Sequence, residues 1–553
     1  MTKNKSLKQL SVVLFLIVAL TAMLSACGET ATPNATSAAA STTAAVSTTA
    51  VAMSSTAAMT SPATTTTAGT SVATTTGVAT TSVATTTGVA TTAGTSVATT
   101  TGVAKTGAAT SGGNGVTINV AGTDVNIKPG GGKSFNPTSP VTITIWDSQR
   151  GTNQDALVKL ADDFHAKHPN ITIKWDNNNN TFAYGDILKK LQSAATAGGL
   201  PNLATGYENW VPGFVGASNT ILGFNQFISG DYGLTQEQLS DIQPGFLARG
   251  IFPQYGNETY LFPFGNSSPA LYYNKDALDK YGLQVPQTWD DLIKASQTIQ
   301  KQSNGVMTGL VFSPKSVSEF TAGMFSQGCK VYDYGSKTFY FSDPTCVKQL
   351  QIYYDGTRDG YFKAADTTQQ FSDEYSFEKG ESAFWMSSTS SRSYIDSDMD
   401  KGANGAKKFN WNAQVIPHAA NVSKPVTTLY GGGVLAFKGK TSDEDLATWE
   451  VAKYLASTDF TAKWASASGY TPVTKSALND PTYLAFVAKN PHNGIPTQIV
   501  QYATSSEPKI GQWQGVRDEF DNDVNALFQD QSGSVTVDST MKKIQDKATS
   551  LVK

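Results

Sequence analysis

Residues 27–115 are written almost wholly in Thr, Ala, Ser, Val and Gly, with very little charge and no large side chain. Such a stretch has too little apolar surface to offset the entropy of ordering its backbone, so it cannot bury a core. The nonapeptide SVATTTGVA recurs at Ser71, Ser82 and Ser96, too short and too unevenly spaced to build a solenoid. The segment reads as a disordered tether, which as a flexible coil of about 90 residues averages on the order of 50 Å end to end. The folded part must come from the rest of the 553 residues, still too many for one core.

Ahead of the tether stand Lys3, Lys5 and Lys8 and then an apolar run from Leu10 to Ala22. That run is shorter than the roughly 20 residues a spanning helix needs, so residues 1–26 read as a cleavable export signal. Leu24-Ser25-Ala26-Cys27 matches the bacterial lipobox, which implies lipidation at Cys27 and a membrane-anchored protein on the extracytoplasmic face. A formal charge of -3 with 15% charged residues gives no basic field for nucleic acid. The four His and three Cys fall into no zinc spacing, so no metal and no cofactor is expected, and His165 and His168 read as solvated helical residues. Cys329 and Cys346 bracket a hairpin-like stretch turning at Gly335, and in an exported chain such a pair reads as a disulfide.

Residues 116–140 contain VTINVAG and DVNIKPGGG, either a short two-strand hairpin or linker. Alternation in Val141-Thr-Ile-Thr-Ile-Trp146 predicts a strand followed by the loop Asp147-Ser-Gln-Arg-Gly151. A helix over 153–168 then places Leu157, Leu160, Ala161 and Phe164 on one stripe before Pro169, and Ile171-Thr-Ile-Lys-Trp175 gives a second strand. Strand, helix, strand in this order builds a parallel sheet whose carboxyl-end loops face ligand.

Farther on, LFPF and ALYY are short apolar runs split by Gly265-Asn-Ser-Ser268. Asn274 then caps DALDKY, Gly282 ends it, and Thr288 with Asp291 opens the next helix at Trp289. The whole stretch PFGNSSPALYYNKDAL...YGL..P.TWDDL resembles the hinge of the family 1 extracellular solute-binding proteins, receptors of ATP-driven sugar importers, and above all that family's glycerol-phosphate binders. Supporting matches are Gly198-Gly-Leu-Pro-Asn202, Phe377-Glu-Lys-Gly-Glu-Ser-Ala-Phe-Trp-Met386 and Gly469-Tyr-Thr-Pro472.

The resemblance spans residues 141–552 and implies an α/β, two-lobed periplasmic-binding-protein-like fold of type II, each lobe a sheet flanked by helices and discontinuous in sequence. Residues 141–268 with 433–475 would form lobe 1, and 269–432 with 476–553 lobe 2. It also implies a monomeric receptor, not an enzyme, that hands a small-molecule ligand to an ABC permease. Ligand contacts carry over to Tyr184, Glu208, Ser267 or Ser268, Ser388 or Thr389, Gly431 or Gly432, Tyr470 and Arg517. A phosphate suits a guanidinium fork with hydroxyl donors, and a diol suits a carboxylate with aromatic faces. Where glycerol-phosphate binders carry tryptophans, this chain has Pro314-Lys-Ser-Val-Ser318, which leaves polyol phosphate, phosphodiester and sugar open. Alternatives are a neutral-oligosaccharide receptor with Arg517 paired internally, a glycan-cutting enzyme using Glu208 with Asp147, and a surface adhesin or sensor.

Overall fold

The alternating apolar residues of Val141–Trp146 lie on the five-strand path of a six-stranded sheet, one of two main sheets in the computed structural model, which describes residues 110–111, 115–120, 123–178, 183–217 and 220–552. The export segment, Cys27 and the tether lie outside the described residues. Along that path the order is Phe262–Pro263, Gly433–Phe437, Leu203–Gly206, Val141–Trp146 and Ile171–Asp176. Val141–Trp146 runs parallel to both its neighbours, and Gly433–Phe437 enters antiparallel to Leu203–Gly206. The helix Gly151–His165 buries Leu157, Leu160, Ala161 and Phe164, the stripe its 3.6-residue period marks.

The second sheet has the order Phe362–Ala364, Thr308–Phe312, Ser382–Ser388, Pro269–Asn274 and Trp411–Val415. Pro269–Asn274 is buried along its whole length between two antiparallel neighbours, so its apolar run needs no alternation. Asn274 accepts from the Ala277 amide at 2.9 Å, and Thr288 with Asp291 forms a full capping box at the start of Trp289–Gln302. The helices Trp513–Gln529 and Val537–Val552 pack into this second lobe's core.

The lobes are joined where Ser267 and Tyr430 exchange two backbone hydrogen bonds of 2.8 Å. Both crossings are thus stitched to each other. A third passage pairs Thr427–Thr428 with Ala503–Ser505 in a short parallel ladder. After residue 475 the chain does not pass directly to the second lobe: Pro481–Lys489 still packs on Thr458–Ser468, and Ile495 is the first buried residue to join a second-lobe cluster.

Of the two readings for residues 116–140, the hairpin is present: Val116–Val120 pairs antiparallel with Thr123–Ile127 and buries its apolar face in the first lobe's core. The stretch between Cys329 and Cys346 carries the paired strands Tyr332–Asp333 and Thr338–Phe339, and a disulfide joins the two cysteines with Cα atoms 5.2 Å apart. Among the described residues no helix is long and apolar enough to cross a membrane.

Candidate functional site

A cleft of about 370 Å³ opens between the lobes at the crossings. Its first-lobe wall is the loop after Val141–Trp146 (Ser148, Gln149, Arg150) with Tyr184, Tyr207 and Tyr470. Ser267, Tyr430 and Gly431 form the floor, and Ser313, Ser316, Ser318, Trp385, Ser388, Tyr394 and Arg517 stand on the second-lobe side. Strand ends and helix starts supply nearly every group, as an α/β layer places its loops.

Gly431 has φ of +86°, and a Cβ there would meet the Gly265 carbonyl oxygen at 2.6 Å. Only glycine lets the two crossings approach this closely. Tyr207 and Tyr430 stack with centroids 5.9 Å apart, and Tyr184 lies 4.6 Å from Tyr207, so the floor is an aromatic platform. Ser388 donates to Ser267 at 2.9 Å and exchanges a 2.8 Å hydrogen bond with Ser390. Gln149 donates to the Tyr470 hydroxyl at 3.0 Å.

Charge in the cleft is largely matched inside the protein. Arg517 is held by Glu507 and donates to Ser318 at 2.9 Å. Burial would raise the Glu507 carboxyl, but the Arg517 guanidinium and donors from Trp513 and Ser318 hold it below its ordinary value. Arg150 crosses the cleft to Glu374 at 2.8 Å and sits 4.0 Å from the ring centroids of both Phe371 and Tyr394. Asn153 adds a second bridge, donating to the Tyr394 hydroxyl at 3.1 Å. Burial pushes the Glu319 carboxyl up to about 8 and that of Asp147 up to about 7.

The expected contact set is divided. Tyr184, Ser267, Ser388, Gly431, Tyr470 and Arg517 line the cleft, whereas Ser268, Thr389, Gly432 and Glu208 do not. Ser268 and Thr389 are spent on each other, with the Ser268 amide donating to Thr389 Oγ1 at 3.2 Å and the Thr389 amide to the Ser268 carbonyl at 2.9 Å. Glu208 is placed differently from the expectation: both its oxygens accept from Arg249, at 2.5 and 3.4 Å, behind the floor. Arg249 also donates to Asn266 Oδ1 at 3.0 Å and to the Gly431 carbonyl at 3.1 Å, so the pair braces both crossings. Asp147 has one oxygen held by the Gln149 amide at 2.7 Å and is fully buried, so it offers no exposed partner to Glu208 across a cleft.

A two-lobed α/β molecule with an interlobe cleft matches the model of the family described as bacterial extracellular solute-binding protein over residues 159–495. The chain belongs to that family. Like its relatives, this solute-binding protein is a receptor of an ABC importer and not an enzyme. It is 24% identical to the sn-glycerol-3-phosphate-binding periplasmic protein UgpB of Escherichia coli over 374 residues, 66% of this chain and 81% of that one. Among solved structures it is similar to UgpB from Mycobacterium tuberculosis in complex with glycerophosphocholine, with a TM-score of 0.64 and 18% identity over 75% of this chain and 98% of that one. The GacH receptor of Streptomyces glaucescens, solved unliganded and with acarbose, gives a TM-score of 0.63 at 19% identity, covering 75% and 99%.

Sequence reasoning passed over Arg150, Glu374, Tyr207, Tyr430, Tyr394 and Trp385 in this receptor. The available signal was position: Arg150 closes the first strand's loop and Tyr207 directly follows Leu203–Gly206. Nothing local marks Glu374 or Tyr394, which reach the cleft only through packing of the second lobe.

Proposed function

We propose that this receptor captures a neutral, sugar-like polyol by closing its two lobes, 141–268 with 433–489 and 269–432 with 495–552, and delivers it to an ABC permease. The observation that carries the reading is that Arg150 and Arg517, the guanidinium groups among the described cleft residues, each already face a buried carboxylate, Glu374 and Glu507. A phosphate would have to compete with those carboxylates, whereas sugar hydroxyls can use the serine cluster and lie on the Tyr207 and Tyr430 faces. Tyr184, Ser267, Ser388, Gly431, Tyr470 and Arg517 would make the contacts, and closure is a population shift driven by contacts made only when both walls touch the ligand.

A second reading, a polyol phosphate or phosphodiester, is favoured by the names of the relatives and by Arg517 lying in the cleft wall. Calorimetry with maltotriose, glycerol 3-phosphate and glycerophosphocholine separates the two. The neutral reading expects oligosaccharide binding, with no gain from a phosphate group. Binding of either phosphate ligand that Arg517→Ala weakens tenfold or more, about 1.4 kcal/mol, would overturn it in favour of the second.

The receptor is further proposed to be exported, cut before Cys27 and held at the extracytoplasmic face by acyl chains on Cys27, with residues 28–115 spacing it from the membrane. Cys27→Ser in a native host is expected to release it to the medium. Retention in the membrane fraction would refute the anchor.

A further inference from the structure

The helix Ser372–Glu378 sets Glu374 and Glu378 four residues apart, on one face, and the helix Arg392–Lys401 brings Asp398 to them. One carboxylate oxygen from each of the three lies within 4.8 Å of the others. Glu378 is 0% exposed, and neither of its oxygens has a hydrogen-bond partner. A buried carboxylate without a donor is costly, and orphaned oxygens aimed at two more carboxylates make the cost larger. Among the described residues, the charged groups acting on Glu378 are Glu374 and Asp398, opposed by Arg150. With all three ionised, three carboxylates against one guanidinium would leave two negative charges, and without an ion burial and the acidic neighbours push the Glu378 carboxyl up to about 9.

We propose that Glu374, Glu378 and Asp398 bind a divalent cation that prefers oxygen ligands, calcium foremost. The donor set is all carboxylate, without imidazole or thiolate, which suits calcium, magnesium or manganese and not zinc. One divalent ion would displace the Glu378 proton and balance the two charges the ionised cluster then carries. Glu374 has two oxygens, so one can serve the ion while the other keeps Arg150. Bound there, the ion ties the helix that presents Glu374 to the neighbouring helix and so fixes the acceptor of the interlobe contact. The site adjoins the ligand cleft through Glu374, which lines it, while Glu378 and Asp398 lie behind that wall. The inference does not depend on which solute the cleft takes.

The test uses the folded receptor stripped with chelator, without any solute. Calcium chloride, then magnesium and manganese chloride, are titrated in while thermal unfolding and binding heat are followed. Terbium luminescence sensitised by Tyr375, on the same helix, gives an independent readout. The expected result is about one ion per chain and a rise in Tm with calcium, the folding equilibrium shifting about a hundredfold at a hundred times the dissociation constant. Glu378→Gln, or Asp398→Asn should the first not fold, is expected to abolish the response, while Asp400→Asn on the same helix leaves it intact. Glu378→Gln should be at least as stable as the parent without calcium, because it removes a buried charge. Absence of heat, luminescence and Tm shift at millimolar cation, or an undiminished response in both cluster variants, would overturn the proposal and leave protons as what neutralises the cluster.

Discussion

Arg150→Ala removes a contact that only the approach of the lobes can make. Its guanidinium is 21% exposed and its partner Glu374 5%, so the pair is too sheltered to be treated as a surface ion pair. A charge-assisted hydrogen bond at 2.8 Å contributes about 1.5–3 kcal/mol, and each of the two ring contacts at 4.0 Å about 0.5–1 kcal/mol. Ordering the arginine costs roughly 2 kcal/mol. The net is about 0.5–3 kcal/mol in favour of lobes in contact, or about 2- to 150-fold in the equilibrium between closed and open forms. A ligand that needs the closed form should therefore bind Arg150→Ala about 2- to 150-fold more weakly, with its contacts to Tyr184, Ser267, Ser388, Gly431, Tyr470 and Arg517 intact. Calorimetry with the ligand identified above measures the affinity, and small-angle scattering of the free receptor reports the opening as a larger radius of gyration. The double variant with Glu374→Gln should lose little more than Arg150→Ala alone, since both remove one interaction. Unchanged affinity and an unchanged scattering profile for Arg150→Ala would refute the reasoning.

Glu208→Ala leaves Arg249 buried at 4% exposure without its carboxylate, and urea unfolding is expected to show a loss of about 3–5 kcal/mol, against almost none if the pair were surface decoration. Replacing both Cys329 and Cys346 by Ser opens a loop of sequence separation 17 and should cost about 3 kcal/mol by the same assay; a loss no greater than measurement error would show that the bridge contributes nothing. Stability should fall as pH rises from about 5 to 8. The Glu319, Asp147 and Asp521 carboxyls are raised, chiefly by burial, to about 8, 7 and 6. Each therefore keeps its proton in the folded chain after the unfolded chain has lost it. That contribution is complete below the ordinary carboxylate value and disappears as pH passes the folded values. A Tm that is flat or climbs across pH 5 to 8 would contradict it.

Helices, strands and crossings were legible because their signals are local. Thr288 and Asp291 cap each other within one turn, Leu157 to Phe164 repeat at helical spacing, and the Ser267 crossing is marked by the polar break between two apolar runs. The family resemblance extended that reading to the lobed fold and to six residues of the cleft wall. What it could not supply was the partner of each charge. Glu208 reads as a ligand carboxylate until Arg249, 41 residues away, is found to occupy both its oxygens. Arg517 reads as an anion clamp until Glu507 is found against it.

The sequence alone thus determined the caps and the main strands and helices, which are set by spacings of a few residues, while the two lobes came from the family resemblance. Tertiary structure decided which carboxylate neutralises which guanidinium. Arg150 and Glu374 are 224 residues apart, and their contact exists only because two separately built lobes face each other. Burial sets how strongly each charge must be matched, and burial at such a site is a property of the docked lobes, absent from any local stretch of chain.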